Sequence, residues 1–418
     1  MLIEKLITSI ARKKNSDYLR FSASSASVPR APNDLPRLVY VHIPFCEELC
    51  PYCSFNRIVF REPLARSYFK ALRKEVLMYR DLGYEFSSLY VGGGTPTVLV
   101  DELAETIDLI KKSFPVKEVS VETNPNHLTD ENIALLQAAG VHRLSVGVQS
   151  FDDGILKATE RYHKYGSGEM IAERLQYTQG KFQTLNIDMI FNFPAQSMAI
   201  LEKDLSTLVG LGVDQITYYP LMVSTFTQAA MNKKLGIVNY ERGGALYEKI
   251  VEMLTPTYEA TTAWCFSRHK GMIDEYVINF EEYAGLGSGS IGYLGGSVYA
   301  NTFDIEEYVK KLGRGEPPVT ARRDFSMKER LRYDFLMKLF GLKLDIKELG
   351  KKTGVNPLRY LWTEILFFML AGGLKKQGSC LTLTRKGQYY WVLMMREFFI
   401  GVNNFRDYCR RELMTGPK

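Results

Sequence analysis

Tyr40-Val41-His42-Ile43-Pro44-Phe45-Cys46-Glu47-Glu48-Leu49-Cys50-Pro51-Tyr52-Cys53 places three cysteines within eight residues, in the spacing C-x3-C-x2-C. The apolar run 38–42 just before them reads as a strand, so the thiols sit on the loop that leaves it. Structural zinc sites want four protein ligands in paired short spacings. Cys265, Cys380 and Cys409 are distant in sequence and form no second pair. Three close thiolates instead suit three irons of a [4Fe–4S] cluster, with the fourth iron open to a small molecule. The alternative is three buried, unligated cysteines.

Outward from this loop, strand-like runs at 38–42, 88–92, 118–122, 143–147, 184–190 and 215–219 alternate with helical segments such as 63–82. Pro63 suits that helix's first turn and Gly83 its C-cap. The alternation predicts an α/β fold with parallel strands and crossover helices. Functional loops should then follow the C-terminal ends of the strands. The cysteine loop follows the first strand, and Gly92-Gly93-Gly94-Thr95-Pro96-Thr97 follows the second. Val121-Glu122-Thr123-Asn124-Pro125, Gly147-Val148-Gln149-Ser150-Phe151 and Asn186-Ile187-Asp188-Met189-Ile190 end the next three.

The C-x3-C-x2-C spacing with aromatic Tyr52 before the last cysteine resembles the radical S-adenosylmethionine (SAM) superfamily. The run Tyr40–Cys46 is similar to its subgroup of oxygen-independent coproporphyrinogen III oxidases, heme chaperones, heme-degrading methyltransferases and class C methyltransferases. The similarity runs from about residue 38 to about residue 399. It implies a partial (β/α)6 barrel with a helical, winged-helix-like C-terminal domain. The expected division is 1–37 (amphipathic segment and linker), 38–320 (barrel with extension) and 321–418 (helical lid).

The resemblance also assigns roles. Cys46, Cys50 and Cys53 would hold the [4Fe–4S] cluster, and Gly92, Gly93, Gly94 and Thr95 would form the loop that meets the amino group of S-adenosylmethionine. Tyr40, Tyr52, Glu122 and Gln149 would line that pocket. Arg161, expected on the helix after the fourth strand, would pair with the methionine carboxylate, and Asp188 would contact the ribose. The cofactor offers a carboxylate, an ammonium, a sulfonium and two hydroxyls, and this residue set can satisfy all of them. The implied chemistry is homolysis of the cofactor to a 5′-deoxyadenosyl radical, fed by an electron donor such as flavodoxin or ferredoxin.

Within the subgroup, the departures decide the expectation. The coproporphyrinogen oxidases carry an extra cysteine after the triplet, where this chain has Ser54-Phe55. The heme chaperones carry a histidine-containing heme motif before Gly-Leu-Gly, where this chain has Tyr276-Val-Ile-Asn-Phe-Glu-Glu-Tyr-Ala-Gly-Leu-Gly-Ser-Gly-Ser290. His269 stands alone nearby. The remaining branch is the class C type, which implies two S-adenosylmethionine molecules and methylation of an sp2 carbon on a lipophilic aromatic ring. Among these it is most similar to the menaquinone C8-methyltransferases. The second cofactor site is expected near Tyr218, Tyr219 and residues 285–290. The alternatives are a decarboxylating coproporphyrinogen oxidase and a heme chaperone, with a tetrapyrrole as substrate or cargo.

Composition bounds the rest. The 418 residues are 46% hydrophobic and 24% charged, ordinary for a globular chain. A net charge of +6 is far from a polycation that would demand nucleic acid. No run of about 18 uncharged apolar residues predicts a membrane span, and the N-terminus lacks a secretory pattern. Six cysteines are too sparse for a disulfide scaffold, which fits a reducing, cytoplasmic setting. Leu2, Ile3, Leu6, Ile7 and Ile10 form one face of a basic N-terminal helix. That pattern suits packing on the barrel exterior, and also peripheral contact with the anionic inner face of a membrane. Residues 21–36 read as a flexible linker, and 389–414 as a tail rich in aromatics, Met and Arg.

Overall fold

The computed structural model describes residues 2–18, 22–23, 27–29, 37–269 and 282–409. Six parallel strands form its centre, β1 (Leu38–Ile43), β2 (Ser88–Gly93), β3 (Glu118–Thr123), β4 (Arg143–Gln149), β5 (Thr184–Phe191) and β6 (Gln215–Pro220). They lie side by side in sequence order, each hydrogen-bonded to the next. Their near-continuous apolar runs reflect burial on both faces; every residue of β1 is buried. This is the α/β architecture of the expected open barrel, and each strand begins at the residue anticipated from the pattern.

The crossover helices include α1 (Glu62–Asp81), α2 (Val100–Ser113), α3 (Asp130–Ala138) and α4 (Met198–Leu211). The first ends at Gly83, whose φ of +80° is a left-handed conformation that glycine adopts at little cost.

The sheet does not stop at six strands. Tyr283–Leu286 adds in parallel beside β1 and leads into an antiparallel meander, Ile291–Leu294, Ser297–Asn301 and Val319–Asp324. Cys265–Ser267 adds antiparallel to β6 at the other edge. These sheet extensions have strands too short to announce themselves by periodicity.

At the C-terminus, Lys343–Asp345, Leu374–Gln377 and Cys380–Leu383 make a small antiparallel sheet. It is flanked by the helices Ile346–Thr353, Leu358–Leu370 and Arg385–Tyr408, a winged-helix-like arrangement. The N-terminal helix Leu2–Tyr18 packs along the helix Arg385–Tyr408 rather than on the barrel's outer helices. Arg12 Nε donates to Glu397 Oε2 at 3.0 Å, and Ile7 and Ala11 are buried. The expected single apolar face is thereby split: Leu2, Leu6 and Ile10 stay exposed. Of the linker, only Ser22–Ala23 and residues 27–29 are described, the former pairing with Val319–Asp324. Residues 276–281 of the stretch before Gly-Leu-Gly lie outside the described residues, as does the tail beyond 409. No helix among the described residues is long and apolar enough to cross a membrane.

Candidate functional site

A cavity of about 670 Å³ opens at the C-terminal ends of β1–β6, and all three clustered cysteines line it. None of the other three cysteines does. Alternation along the strands selects which side chains enter: Tyr40, Tyr90, Glu122, Asp188 and Tyr219 face inward from successive strands. Tyr218 points the other way, packing edge-on against Phe191 in the core, so only Tyr219 of the expected pair reaches the cavity. Gly289 from the Gly-Leu-Gly region lines it as well.

The cysteine loop is held from several sides. Ile58 and Phe60 amides donate to the Pro44 and Cys46 carbonyls at 2.8 Å each, closing the loop at its base. Arg57 reaches back to donate to the Cys50 and Cys53 carbonyls at 2.6 and 2.9 Å. Glu47, one residue after the first cysteine, bonds His127 and Asn126 and forms an ion pair with Lys164. Chiefly the His127 hydrogen bond holds its carboxyl well below the usual carboxylate range.

The glycine run explains itself sterically. A Cβ at Gly94 would sit 2.5 Å from the Phe45 carbonyl oxygen and 3.0 Å from Cys46 Sγ. A Cβ at Gly92 would meet the Glu122 carboxyl carbon at 2.8 Å. The amides of Gly93, Gly94 and Thr95 donate within the protein, to Glu122, Ile43 and Phe45. What the loop can offer a ligand is therefore its carbonyls, a match for an ammonium group. Thr95 is buried, with its hydroxyl accepting from Asn124 Nδ2 at 2.8 Å and lying 3.7 Å from Cys46 Sγ.

Gln149 sits at a register shift between β4 and β5 with φ of +76°, a strained conformation for a residue with a side chain. Asp204 on α4 secures the following turn, accepting from Ser150 Oγ and the Phe151 amide at 2.8 Å each. Arg161 does not lie inside a helix as expected. It caps the short helix Tyr162–Tyr165, which fixes its backbone while the side chain turns into the barrel. Its guanidinium donates to the Gly147 carbonyl, lies over the Tyr165 ring at 4.3 Å, and approaches Tyr52 Oη and Cys50 Sγ at 3.4 and 3.5 Å.

The electrostatics are those of a dry polar floor. Burial, with Asp188's charge second, pushes the Glu122 carboxyl up to about 7. Burial likewise raises Asp188, which accepts from Ser145 and Asn186 at 2.7 and 2.9 Å. Burial pushes the Cys46 thiol up to about 11, with Cys53 adding to it. Tyr40 is raised mainly by burial, and its hydroxyl bonds His42 Nδ1 at 2.9 Å.

The residues present fit an iron–sulfur cluster with a chelating ligand. Gln149 Oε1 and Arg161 Nε are buried without a hydrogen-bond partner, and both residues line the cavity beside the cysteines. Buried polar atoms of this kind call for a partner, whether water, ion or ligand. Among the described residues no group of three His, Cys, Asp or Glu side chains is gathered tightly enough for a single metal ion.

All the candidate residues from Tyr40 to Asp188 thus border one cavity, apart from Gly92, which packs on Glu122 beneath it. Sequence reasoning missed Arg57, Tyr90 and Asn124. Asn124 stands two residues after Glu122 in the same quoted motif, at the spacing that keeps it on the same side of the strand end. Tyr90 Oη donates to Glu122 Oε1 at 2.9 Å, and the matching alternation on β2 was the available signal.

The opposite wall comes from the C-terminal region, with Phe335, Phe367, Phe368, Met394, Phe398 and Phe399 among its residues. Its acids are engaged: Glu364 with Arg332 at 2.7 Å, and Glu329 with Arg323.

Residues 40–208 match the profile of the Radical SAM superfamily. The chain is 28% identical over 370 residues to the heme chaperone HemW of Bacillus subtilis, covering 84% of this chain and 95% of that protein. It is 30% identical over 317 residues to the heme chaperone HemW of Mycobacterium tuberculosis, covering 70% and 80% respectively. The structure of coproporphyrinogen III oxidase (HemN) from Escherichia coli, described as a radical SAM enzyme, superimposes with a TM-score of 0.75 at 22% identity. That match covers 92% of this chain and 95% of the other, and it establishes the fold. These likenesses favour the tetrapyrrole alternatives over the methyltransferase expectation.

Proposed function

Because the chain belongs to the radical SAM superfamily, in the group that holds the heme chaperones and oxygen-independent coproporphyrinogen III oxidases, we propose that it is a [4Fe–4S]- and S-adenosylmethionine-dependent enzyme acting on a large, flat, conjugated ring. One observation carries this reading. A single cavity has the cysteine loop and the unpartnered Gln149 Oε1 and Arg161 Nε at one end, and a broad apolar wall at the other. About 670 Å³ lies within the range of ligand sites and leaves room for a ring beside the cofactor.

Bound there, the cluster and S-adenosylmethionine supply reductive carbon–sulfur cleavage and a radical able to take hydrogen from an unactivated carbon. The protein's part is to bind, orient and exclude water. Cys46, Cys50 and Cys53 hold the cluster. Arg161 pairs with the methionine carboxylate, and the carbonyls of Gly93 and Gly94 receive the ammonium. Glu122, Gln149 and Asp188 receive the sugar and adenine side, while Tyr40 and Tyr52 pack alongside. The apolar wall keeps the site dry, so that these few polar contacts act at low dielectric.

For the ring itself, the relatives favour a tetrapyrrole. A second reading, methyl transfer to an sp2 carbon of a lipophilic ring of the menaquinone type with two S-adenosylmethionine molecules, has its own observation. Coproporphyrinogen brings four carboxylates, yet the far wall is mostly aromatic and aliphatic, and of its cavity-lining arginines Arg332 already faces Glu364 while Arg406 donates to Asn403.

The test is product analysis on anaerobically reconstituted protein with a low-potential reductant such as reduced flavodoxin or ferredoxin. Coproporphyrinogen III, heme and menaquinone are offered in turn. Carbon dioxide release identifies an oxidase, and stoichiometric heme retention without turnover a chaperone. S-adenosylhomocysteine appearing together with 5′-deoxyadenosine identifies a methyltransferase. If no 5′-deoxyadenosine forms under any condition, the radical reading fails.

A further inference from the structure

The helix Leu358–Leu370 buries Leu361, Ile365 and Phe368 and turns a second apolar stripe outward: Leu358, Trp362, Leu366, Met369 and Leu370. Trp362 is 59% exposed and Leu370 80%. The spacing of four residues makes this one continuous face. Isolated exposed apolar residues need no explanation, but a contiguous stripe does.

The stripe runs along the cavity's rim. Thr363 and Phe367, each next in sequence to a stripe residue, line the cavity, and Thr363 is at the same time exposed. Ile10 of the N-terminal helix is also both exposed and lining, with Leu2 and Leu6 exposed on the same helix. Two helices with outward apolar side chains therefore border one opening.

The surrounding charge selects the partner. Residues 346–376 carry six lysine and arginine side chains against two glutamates; with Lys352 paired to Asp334 and Glu364 to Arg332, five cations face one free acid. Arg359 is exposed three residues before Trp362, and Lys375 and Lys376 are exposed on the strand that follows the helix. An apolar stripe with a tryptophan and a basic border is the pattern of a surface lying in an anionic membrane interface.

The geometry points to a docking face, built from the helix Leu358–Leu370 and the N-terminal helix at the same opening, that seats this protein on an anionic lipid bilayer with the cavity mouth against the membrane. A lipophilic ring would then enter from the bilayer without crossing water. This purpose rests on the second reading above, a lipophilic ring as substrate, but binding to the bilayer is measured without substrate, so either idea can fail alone.

Trp362 gives the test a built-in reporter, because the other two tryptophans, Trp264 and Trp391, are fully buried. The full-length reconstituted protein is mixed with vesicles of phosphatidylcholine containing phosphatidylglycerol, and with phosphatidylcholine alone. Expected are co-sedimentation with the anionic vesicles, a shift of tryptophan emission to shorter wavelength, and at least tenfold weaker partition for Leu366→Glu/Leu370→Glu. Those side chains are exposed and do not line the cavity, so the variant should keep the wild-type melting temperature and its basal cleavage of S-adenosylmethionine. Failure to bind anionic vesicles overturns the proposal, as does binding without a shift in emission. A self-association in size-exclusion runs that the variant abolishes, with no vesicle binding, reassigns the face to a second copy of the chain and overturns it equally.

Discussion

One wall of the cavity, made by the ends of β1–β5, is polar, and it holds a residue in a strained conformation and two buried polar atoms without partners. The wall facing it, from residues 325–406, is aromatic and aliphatic, with its acids already paired. The contrast separates two tasks. The polar wall presents hydrogen-bonding capacity that the protein itself leaves unfilled, which is how a site for a small, highly functionalised ligand looks before it is filled. The apolar wall offers area and dryness and few directional contacts, which suits a ring recognised by shape.

The division breaks most severely at the cysteines. Cys46→Ala, Cys50→Ala or Cys53→Ala should each abolish the brown absorbance of reconstituted protein and all formation of 5′-deoxyadenosine, measured by iron content and chromatography. Retention of iron and cleavage in any one of them would remove that residue from the cluster. Arg161→Ala tests the same wall one step out. It should retain cluster absorbance but bind S-adenosylmethionine about 10–100-fold more weakly, the loss of a charge-assisted pair worth roughly 1.5–3 kcal/mol. Arg161→Lys should recover part of that by calorimetry. Unchanged affinity in both would place the carboxylate elsewhere.

The apolar wall predicts the opposite signature. Phe398→Ala should leave cofactor cleavage without substrate untouched and raise the KM of the ring substrate about tenfold, as expected for losing part of a buried aromatic contact. If instead cofactor binding falls, the two walls are not functionally separate.

The polar wall was legible in the sequence because its chemistry restricts residue type and the strand period restricts position. Cys46, Gly94, Glu122, Gln149 and Asp188 all stand in or just beyond the C-terminal halves of strand-like runs, and all border the cavity. Arg57 was not legible, since an arginine four residues after Cys53 looks like any surface cation until the loop folds back on it. Arg161 was identified but placed on the helix after the fourth strand, because a four-residue helix leaves too little periodicity to mark its cap. The apolar wall escaped for a different reason. Phe335, Phe367 and Phe398 have the composition of any core, and only the packing of three helices shows that some of these rings face a cavity. The N-terminal helix was legible as a helix, but the division of its apolar residues between protein and solvent was not. That division is decided by a partner helix nearly 400 residues away in sequence.

The smallest expected effect concerns the polar floor in the protein lacking cluster and cofactor. Burial, with Asp188 next, holds the Glu122 proton to about pH 7, against an ordinary value of 4.5. Between these values the folded chain binds a proton that the unfolded chain has released, so stability falls as pH rises. The full cost is present above pH 7 and disappears below about 4.5. From pH 5 to pH 7 this one group should lower stability by roughly 2 kcal/mol, seen as a drop of a few degrees in melting temperature. Glu75 and Asp204, also buried and pushed up to about 7, contribute slopes of the same sign, so the informative measurement is a difference. Glu122→Gln should flatten the profile by Glu122's share while Tyr90 still finds an acceptor at that position. A variant as steep as the wild type would mean that water reaches this carboxylate, and the wall would then lack the dryness on which its contrast with the rest of the cavity depends.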